Sequence, residues 1–440
     1  MSNQLPRKLG LADSIAIVIG IVIGGGIFLV PNLVARNLAS APMILAVWTF
    51  AGIVSFFGAL ACAELGAAFP STGGQYVFLR EAYGPLAGFL CGWSMFTVAR
   101  SAQVAWMAVV FSLYLSYLVP LGAAASKLLS LAVLALFTWI NYVGVRTAAV
   151  VQTSFTAAKI LGALIIIASA FFLGHPAAGA TAAPPLAAGF SLSSFGVALI
   201  ACLLAYDGWV QLSFVAGEIR NPKRNVLLAL ALGSLVVMAI YLMANLAYLR
   251  VLTVPEIAAS DHVGATAAER VLGPAGGTLV SLIILVSILG TLNGCMLTTP
   301  RVYFAQANDG LFLRQFGEVH PRHQTPAFAI VAQAVWAAVL LLTGSYEALV
   351  DYALFGTWIF YGLMVAAVIV LRRKHPDVPR PYRMWGYPVT PLLFVAITTW
   401  FVLNTLITRP GPSLAGLALI LVGMPVYWLW GRKGQGHPSK

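Results

Sequence analysis

Ile23-Gly24-Gly25-Gly26-Ile27-Phe28 interrupts an apolar run that begins near Asp13 and continues past Val34. Each glycine weakens a helix by about 1 kcal/mol against alanine, so three in succession mark a break. Inside lipid, a broken helix persists only where its freed backbone groups meet other protein, a ligand or a water-filled cavity. The half-helix starting at Ile27 would offer unpaired N–H groups and a positive dipole end, which suits a carboxylate. The half ending near Ile23 would offer unpaired carbonyls, which suit an ammonium group. One break thus has complementary ends for both charged groups of a free amino acid. The competing reading is tight helix packing, with the glycines letting two backbones approach closely.

The surroundings place this stretch in a membrane. The 440 residues are 60% hydrophobic and 9% charged, with a mean hydropathy of +0.91. Apolar runs of about 20 residues recur between short polar breaks and predict an all-α integral membrane protein of about twelve helices. The spans are 13–36, 42–69, 85–119, 127–144, 147–174, 192–218, 226–252, 276–307, 326–343, 346–371, 390–408 and 412–431. A cleavable signal peptide is not expected, because the first run leads into the broken span.

The formal charge of +12 is a topology signal, not a nucleic-acid footprint. With the N-terminus inside, about eighteen Lys and Arg fall on the cytoplasmic side, from Arg7 and Lys8 through Arg372 to Lys440, against about five outside. A multi-pass protein of the cell membrane with both termini cytoplasmic is expected. Cys62, Cys91, Cys202 and Cys295 all lie within predicted spans and read as buried apolar residues. No GxxxxGK[ST] loop, metal cluster or nucleophile–base pair is visible, so no metal, cofactor or enzymatic activity is expected.

Four intramembrane ionisable residues stand out. Glu64 lies near the cytoplasmic end of its span, where a nearby base or solvent can meet it, and reads as structural. Arg100, in mid-span, requires a partner that its own sequence context does not identify. Lys159 lies about 12 residues, or about 18 Å, into the fifth span, too deep to snorkel, and reads as a caged functional cation. In the sixth span, Leu204-Ala205-Tyr206-Asp207-Gly208-Trp209 repeats the polar interruption of the first. Asp207 would either cap the half-helix that follows or face a cavity and attract a cationic substrate group. Two Gly-interrupted spans, one per half, are the pattern of a broken-helix transporter. Their spacing suits two repeats of five spans, inverted because five is odd.

At this point the residues resemble the amino acid–polyamine–organocation transporters, and within them the L-amino acid transporter family of sodium-independent exchangers. Gly24-Gly25-Gly26-Ile27-Phe28 is similar to that family's G-[ST]-G-I-F. Ala63 to Gly84 resembles its AELG…P-x-[ST]-G-G-x-Y stretch. Leu204 to Trp209 with Glu218 to Arg224 resembles F-[AS]-Y-x-G-W…E-[IV]-x-N-P-x-R. Leu342-Thr343-Gly344-Ser345 and Arg372 to Pro388 resemble later segments.

The resemblance implies one membrane transport domain over 1–440, with broken helices 1 and 6. Residues 13–174 would form the first five-helix repeat, 192–371 the inverted second, and 390–431 two additional helices. It implies a substrate site of Ile23, Gly25, Gly26, Ile27, Leu204, Ala205, Tyr206 and Asp207. The N–H groups at Gly25, Gly26 and Ile27 would receive the carboxylate; the carbonyls of Ile23, Leu204 and Ala205 would receive the amino group. Lys159 matches the lysine that takes the place of a sodium ion in sodium-independent relatives. Two departures are Gly25, where the family has Ser or Thr, and Leu204, where an aromatic gate is common. No cysteine lies between the third and fourth spans, so the disulfide-linked partner subunit of animal relatives is not expected. The function expected is sodium-independent exchange of L-amino acids by alternating access. The alternatives are proton symport through Lys159 or Asp207, and a non-transporting amino-acid sensor.

Overall fold

The glycine triplet breaks the helix where expected. α1 (Leu11–Val22) begins with the Gly10 N–H donated to Asp13 Oδ2 at 2.9 Å. α2 (Gly26–Asn37) resumes after the break at 41° to α1. The computed structural model describes residues 5–177, 191–344 and 346–434, so Ser345 and Lys440 fall outside them. α3 (Ala41–Ala68) is a continuous span with proline in its first turn, where a missing N–H costs nothing. Gly73 and Gly74, at φ of 105° and 44°, turn the chain into α4 (Gln75–Tyr83), a short helix before the third span.

The third span is one long helix, as expected, but it carries a π turn. α5 (Pro85–Ser94) widens into a π turn at Met95–Ala99 before α6 (Arg100–Leu118). The wider turn re-aims every side chain after it, and Arg100 is the first. α7 (Ala123–Val143) and α8 (Val145–Phe172) follow, separated by Gly144.

The sixth span is interrupted at the expected stretch, and the unwinding runs on to Val210. α9 (Leu192–Ala205) ends at Ala205, residues 206–210 form turns, and α10 (Gln211–Phe214) is a single turn. Gly208 adopts φ 128°, and a Cβ there would lie 2.7 Å from Ile21 Cγ2. Glycine is therefore required both by torsion and by proximity. The second break packs directly on the first.

α11 (Pro222–Val251) starts at a proline. The segment between the seventh and eighth spans holds α12 (Val254–Ala259) and α13 (Val263–Leu272). Pro300 divides the eighth span into α14 (Pro274–Thr298) and α15 (Pro300–Asn308). α16 (Ala327–Thr343), α17 (Tyr346–Lys374), α18 (Val389–Thr408), α19 (Pro410–Leu421) and α20 (Gly423–Gly434) complete the chain. Among the described residues, nine helices are long and apolar enough to cross a membrane, and α1 with α2 forms one further bent candidate. α9 and α16 are shorter apolar helices.

α1 lies at the centre, against α8, α11 and α14, whereas α18 and α19 pack along α3, α5 and α17. Buried ion pairs fasten distant segments together. Glu64 accepts Arg372 Nε and Nη2 at 2.8 and 2.7 Å and the Met384 N–H at 2.6 Å, which draws the basic linker after α17 onto the end of α3. Glu218 and Arg301 pair at 2.7 Å with both side chains fully buried.

Candidate functional site

Where the two breaks meet, the helix ends cannot satisfy themselves. The last carbonyls of α1 and the first N–H groups of α2 have no partner within their own helices. Lys159, from α8, supplies part of the need. Its buried ammonium donates to the Gly20 carbonyl at 2.6 Å, the Ile23 carbonyl at 2.8 Å and Thr291 Oγ1 at 3.3 Å. Gly290 gives the ammonium room on α14, since a Cβ there would lie 2.9 Å from Nζ. Ser287 Oγ also donates to the Ile23 carbonyl, at 3.3 Å. Lys159 thus ties the end of α1 to α8 and α14.

Tyr241, from α11, bridges the two breaks. Its hydroxyl lies 2.9 Å from the Val22 carbonyl and 3.1 Å from the Ala205 carbonyl, the ends of α1 and α9. Its ring packs with Trp48 and Tyr206, at centroid separations of 5.5 and 4.9 Å. Tyr206 is therefore held in an aromatic cluster behind the break.

In front of the breaks lies a cavity of about 300 Å³. Gly24, Gly25, Gly26, Leu204, Ala205 and Asp207 border it, so five of the eight substrate-site candidates surround one space. Ile23 and Ile27 are buried and do not border it. The cavity extends along α2 to Val30 and along α6 from Ala99 to Tyr114, away from the N-terminal side. Trp106, Met107, Ile288 and Trp358 make most of its surface apolar.

The glycines differ in what they face. A Cβ at Gly26 would meet Ala205 Cβ at 3.1 Å and Cα at 3.2 Å, whereas one at Gly25 would meet only Leu29 Cδ1, at 3.7 Å. Gly26 thus serves the contact between α2 and α9. Gly25 is the position open to the cavity. The packing reading of the triplet thus applies at Gly26, and Gly25 borders the cavity without such a contact.

Asp207 acquires partners that its neighbours in sequence did not reveal. One carboxylate oxygen accepts the Tyr361 hydroxyl, and the other lies 3.6 Å from Arg100 Nη1. Arg100 further donates to Gln103 Oε1 at 2.8 Å and to the Tyr361 hydroxyl at 3.0 Å. The carboxylate is bound to α6 and α17, and among the described residues no hydrogen bond ties it to the N–H groups that follow it. Of the carbonyls expected for an ammonium group, that of Ile23 has Lys159 and Ser287, and that of Ala205 has Tyr241. That of Leu204 accepts the Asp207 N–H at 3.2 Å. Ile21, in the unpaired last turn of α1, also borders the cavity.

Sequence reasoning missed Tyr241, Tyr361, Thr291 and Ser287. Hydroxyl residues in apolar helices carry no local mark of which neighbour they meet.

A helix broken at mid-span, a second break packed against it, and a cavity between them bearing both helix-end chemistries define a membrane transporter. Comparison with known proteins agrees: the amino acid permease family profile matches residues 9–429. The chain belongs to the amino acid permease family, within the amino acid–polyamine–organocation superfamily. It is 33% identical over 429 residues to the serine/threonine exchanger SteT of Bacillus subtilis (strain 168), covering 97% of each chain. It is 33% identical over 436 residues to the b(0,+)-type amino acid transporter 1 of Homo sapiens, covering 98% of this chain and 89% of that one. It is also 34% identical over 441 residues to the large neutral amino acids transporter small subunit 2 of Mus musculus, covering 97% and 81%.

Proposed function

We propose that this protein is a sodium-independent exchanger of small neutral L-amino acids, working by alternating access. The observation that carries the reading is the Lys159 ammonium, seated on the Gly20 and Ile23 carbonyls at 2.6 and 2.8 Å. A transporter of this design without the lysine would need a bound cation to neutralise those helix-end carbonyls. Here the charge is covalent, and its three N–H groups each have an acceptor. Proton symport through Lys159 would break those bonds in every cycle, so exchange is the better-supported reading.

In the cavity, substrate carboxylate meets the N–H groups of Gly25, Gly26 and Ile27, where the dipole of α2 adds to their attraction. The ammonium group meets the carbonyls of Ile21 and Leu204, beside Asp207. Arg100 neutralises Asp207 at 3.6 Å, so the site as a whole favours a net-neutral ligand. The apolar wall of Trp106, Met107 and Trp358 then receives the substrate side chain. SteT, by name a serine/threonine exchanger, is a relative for which this substrate size is natural.

With both termini cytoplasmic, the cavity opens outward. The buried Glu218–Arg301 pair and the Glu64–Arg372 pair close the opposite side. Residues 13–174 and 192–371 act as inverted repeats, each opened by a broken helix, with α9 and α16 completing twelve spans. The two half-helix pairs move about their breaks, and Tyr241 keeps the ends of α1 and α9 together.

Proteoliposome uptake tests the reading. Radiolabelled serine, threonine and alanine should enter several-fold faster when the lumen holds unlabelled amino acid, and equally fast in sodium or choline. Uptake indifferent to internal substrate, or strictly requiring sodium, would overturn it.

A further inference from the structure

A second cavity, of about 490 Å³, lies between α7 and α16 and shares no lining residue with the first. Its walls are apolar, with Leu131, Leu134, Trp139 and Tyr142 from α7 and Val331 and Val335 from α16. It opens sideways, since Trp139 is 64% exposed and Val335 59% exposed. In a membrane this trough meets acyl chains. From Leu131 to Tyr142 it runs along α7 for about 16 Å at 1.5 Å per residue. That is about half the thickness of the hydrocarbon core, the depth of one leaflet.

At one end the chemistry changes. Tyr142 packs against the rings of His320 and His323, each at 5.3 Å, and the two imidazoles are 4.7 Å apart. The loop that carries them is anchored to the end of α7, where Thr325 Oγ1 donates to the Tyr142 carbonyl at 2.9 Å. His320 Nδ1 accepts the N–H groups of Arg322 and His323 at 3.3 and 3.2 Å, so its ring proton sits on Nε2. Arg322 itself is exposed, and Lys8 reaches the same loop through Gln324 Oε1 at 2.8 Å. Arg146 lies beyond Val143 and pairs with Asp13 at 2.9 Å, and the exposed Glu318 precedes the histidines. Positive charge remains in excess.

We infer that this trough binds an anionic phospholipid, one acyl chain between α7 and α16 and the phosphate at Arg322, Lys8 and the His320 edge. Three independent features converge on that occupant. The trough has the depth of a single leaflet. Trp139 and Tyr142, stacked at 6.1 Å, stand near its end as interfacial aromatics do. The basic loop beyond them has the charge that attracts acidic headgroups. A zwitterionic lipid would satisfy the trough and leave the loop without a counter-charge.

Native mass spectrometry of the purified full-length chain in detergent, titrated with dioleoyl phosphatidylglycerol or dioleoyl phosphatidylcholine, tests this. The wild type should retain phosphatidylglycerol about tenfold better. Arg322→Gln combined with Lys8→Gln should bring retention down to the phosphatidylcholine level, and thermal unfolding in lipid-free detergent reports whether the variant remains folded. Val335→Trp, at an exposed wall position, should fill the trough and lower retention of both lipids. Equal retention of the two lipids by the wild type, or unchanged selectivity in the Arg322/Lys8 variant, overturns the assignment. A protein dimer that dissociates on Val335→Trp would make the occupant a second copy of the chain, and would also overturn it.

Discussion

Lys159→Ala is the most informative perturbation, because its cost can be worked from four oxygens. In the wild type, the ammonium makes charge-assisted bonds to two carbonyls at 2.6 and 2.8 Å. Truncation leaves Gly20 O with Thr291 Oγ1 at 3.3 Å and Ile23 O with Ser287 Oγ at 3.3 Å. Both contacts are long for O–H···O bonds, so each carbonyl is only partly satisfied. At about 1–2 kcal/mol for each under-bonded carbonyl, the loss is about 2–4 kcal/mol. That is about a 30- to 700-fold shift in the equilibrium between closed and loosened arrangements of the break. The vacated space is lined by two carbonyls and two hydroxyls, a donor set that suits a hard cation. Initial uptake in proteoliposomes, measured in sodium and in choline, reads both effects. Lys159→Ala should be nearly inactive in choline and partly restored by sodium, while the wild type is indifferent. Thermal unfolding in detergent should drop for Lys159→Ala and for Lys159→Met, which keeps the stem but not the donor. Wild-type uptake by Lys159→Ala in choline would refute the reasoning.

Arg100→Gln frees the Asp207 carboxylate from its partner at 3.6 Å, so competition by lysine and arginine against labelled serine should improve about tenfold, equivalent to about 1.4 kcal/mol; no change would remove Arg100 from specificity. Gly26→Ala forces a methyl to within 3.1 Å of Ala205 Cβ and should lower unfolding stability by about 1–3 kcal/mol, whereas Gly25→Ala, with open space at 3.7 Å, should leave stability unchanged and weaken substrate affinity. In the segment between α11 and α14, backbone and hydroxyl donors at Thr253, with Arg270, hold the Glu256 carboxyl at about 2 against an ordinary 4.5. A depressed folded-state value means that stabilisation is complete above about 4.5 and is lost as pH falls toward about 2. The stability difference between wild type and Glu256→Gln should therefore shrink between pH 6 and pH 3; a constant difference would contradict the cap.

The membrane class, the first break and the depth of Lys159 were legible because each depends on local rules. Helix cost, span length and burial of a charge can be counted along one strand of sequence. Glu64 was also legible as structural, although its partner Arg372 lies 308 residues away. The partners of Arg100 and Asp207 were not legible. They meet because a π turn aims α6 at the sixth-span break, and nothing in Met95-Phe96-Thr97-Val98-Ala99 distinguishes a π turn from an α turn. The second break was legible at Leu204–Trp209, but its length was not, for a similar reason. Residues 209–215 remain mostly apolar, so hydropathy continues across a stretch where the backbone has already left the helix. The packing of Gly26 on Ala205 was not legible, because a sequence shows that a glycine is needed but not which neighbour presses on it.

The π turn at Met95–Ala99 also makes the length of this span a determinant of what the protein recognises. Deleting a single residue there, Thr97 for example, would close an ordinary turn and rotate α6 by about 100°. Apart from Arg100 and Gln103, the first turns of α6 are apolar or hydroxyl-bearing on every side, so the cost of the rotation falls on Arg100, which would lose Asp207 and Tyr361. Arg100, Gln103, Trp106, Met107 and Val110 would leave the cavity together, and a different face would take their place. A one-codon deletion would thus replace a whole wall of the binding site in a single step, a change that no point substitution can make.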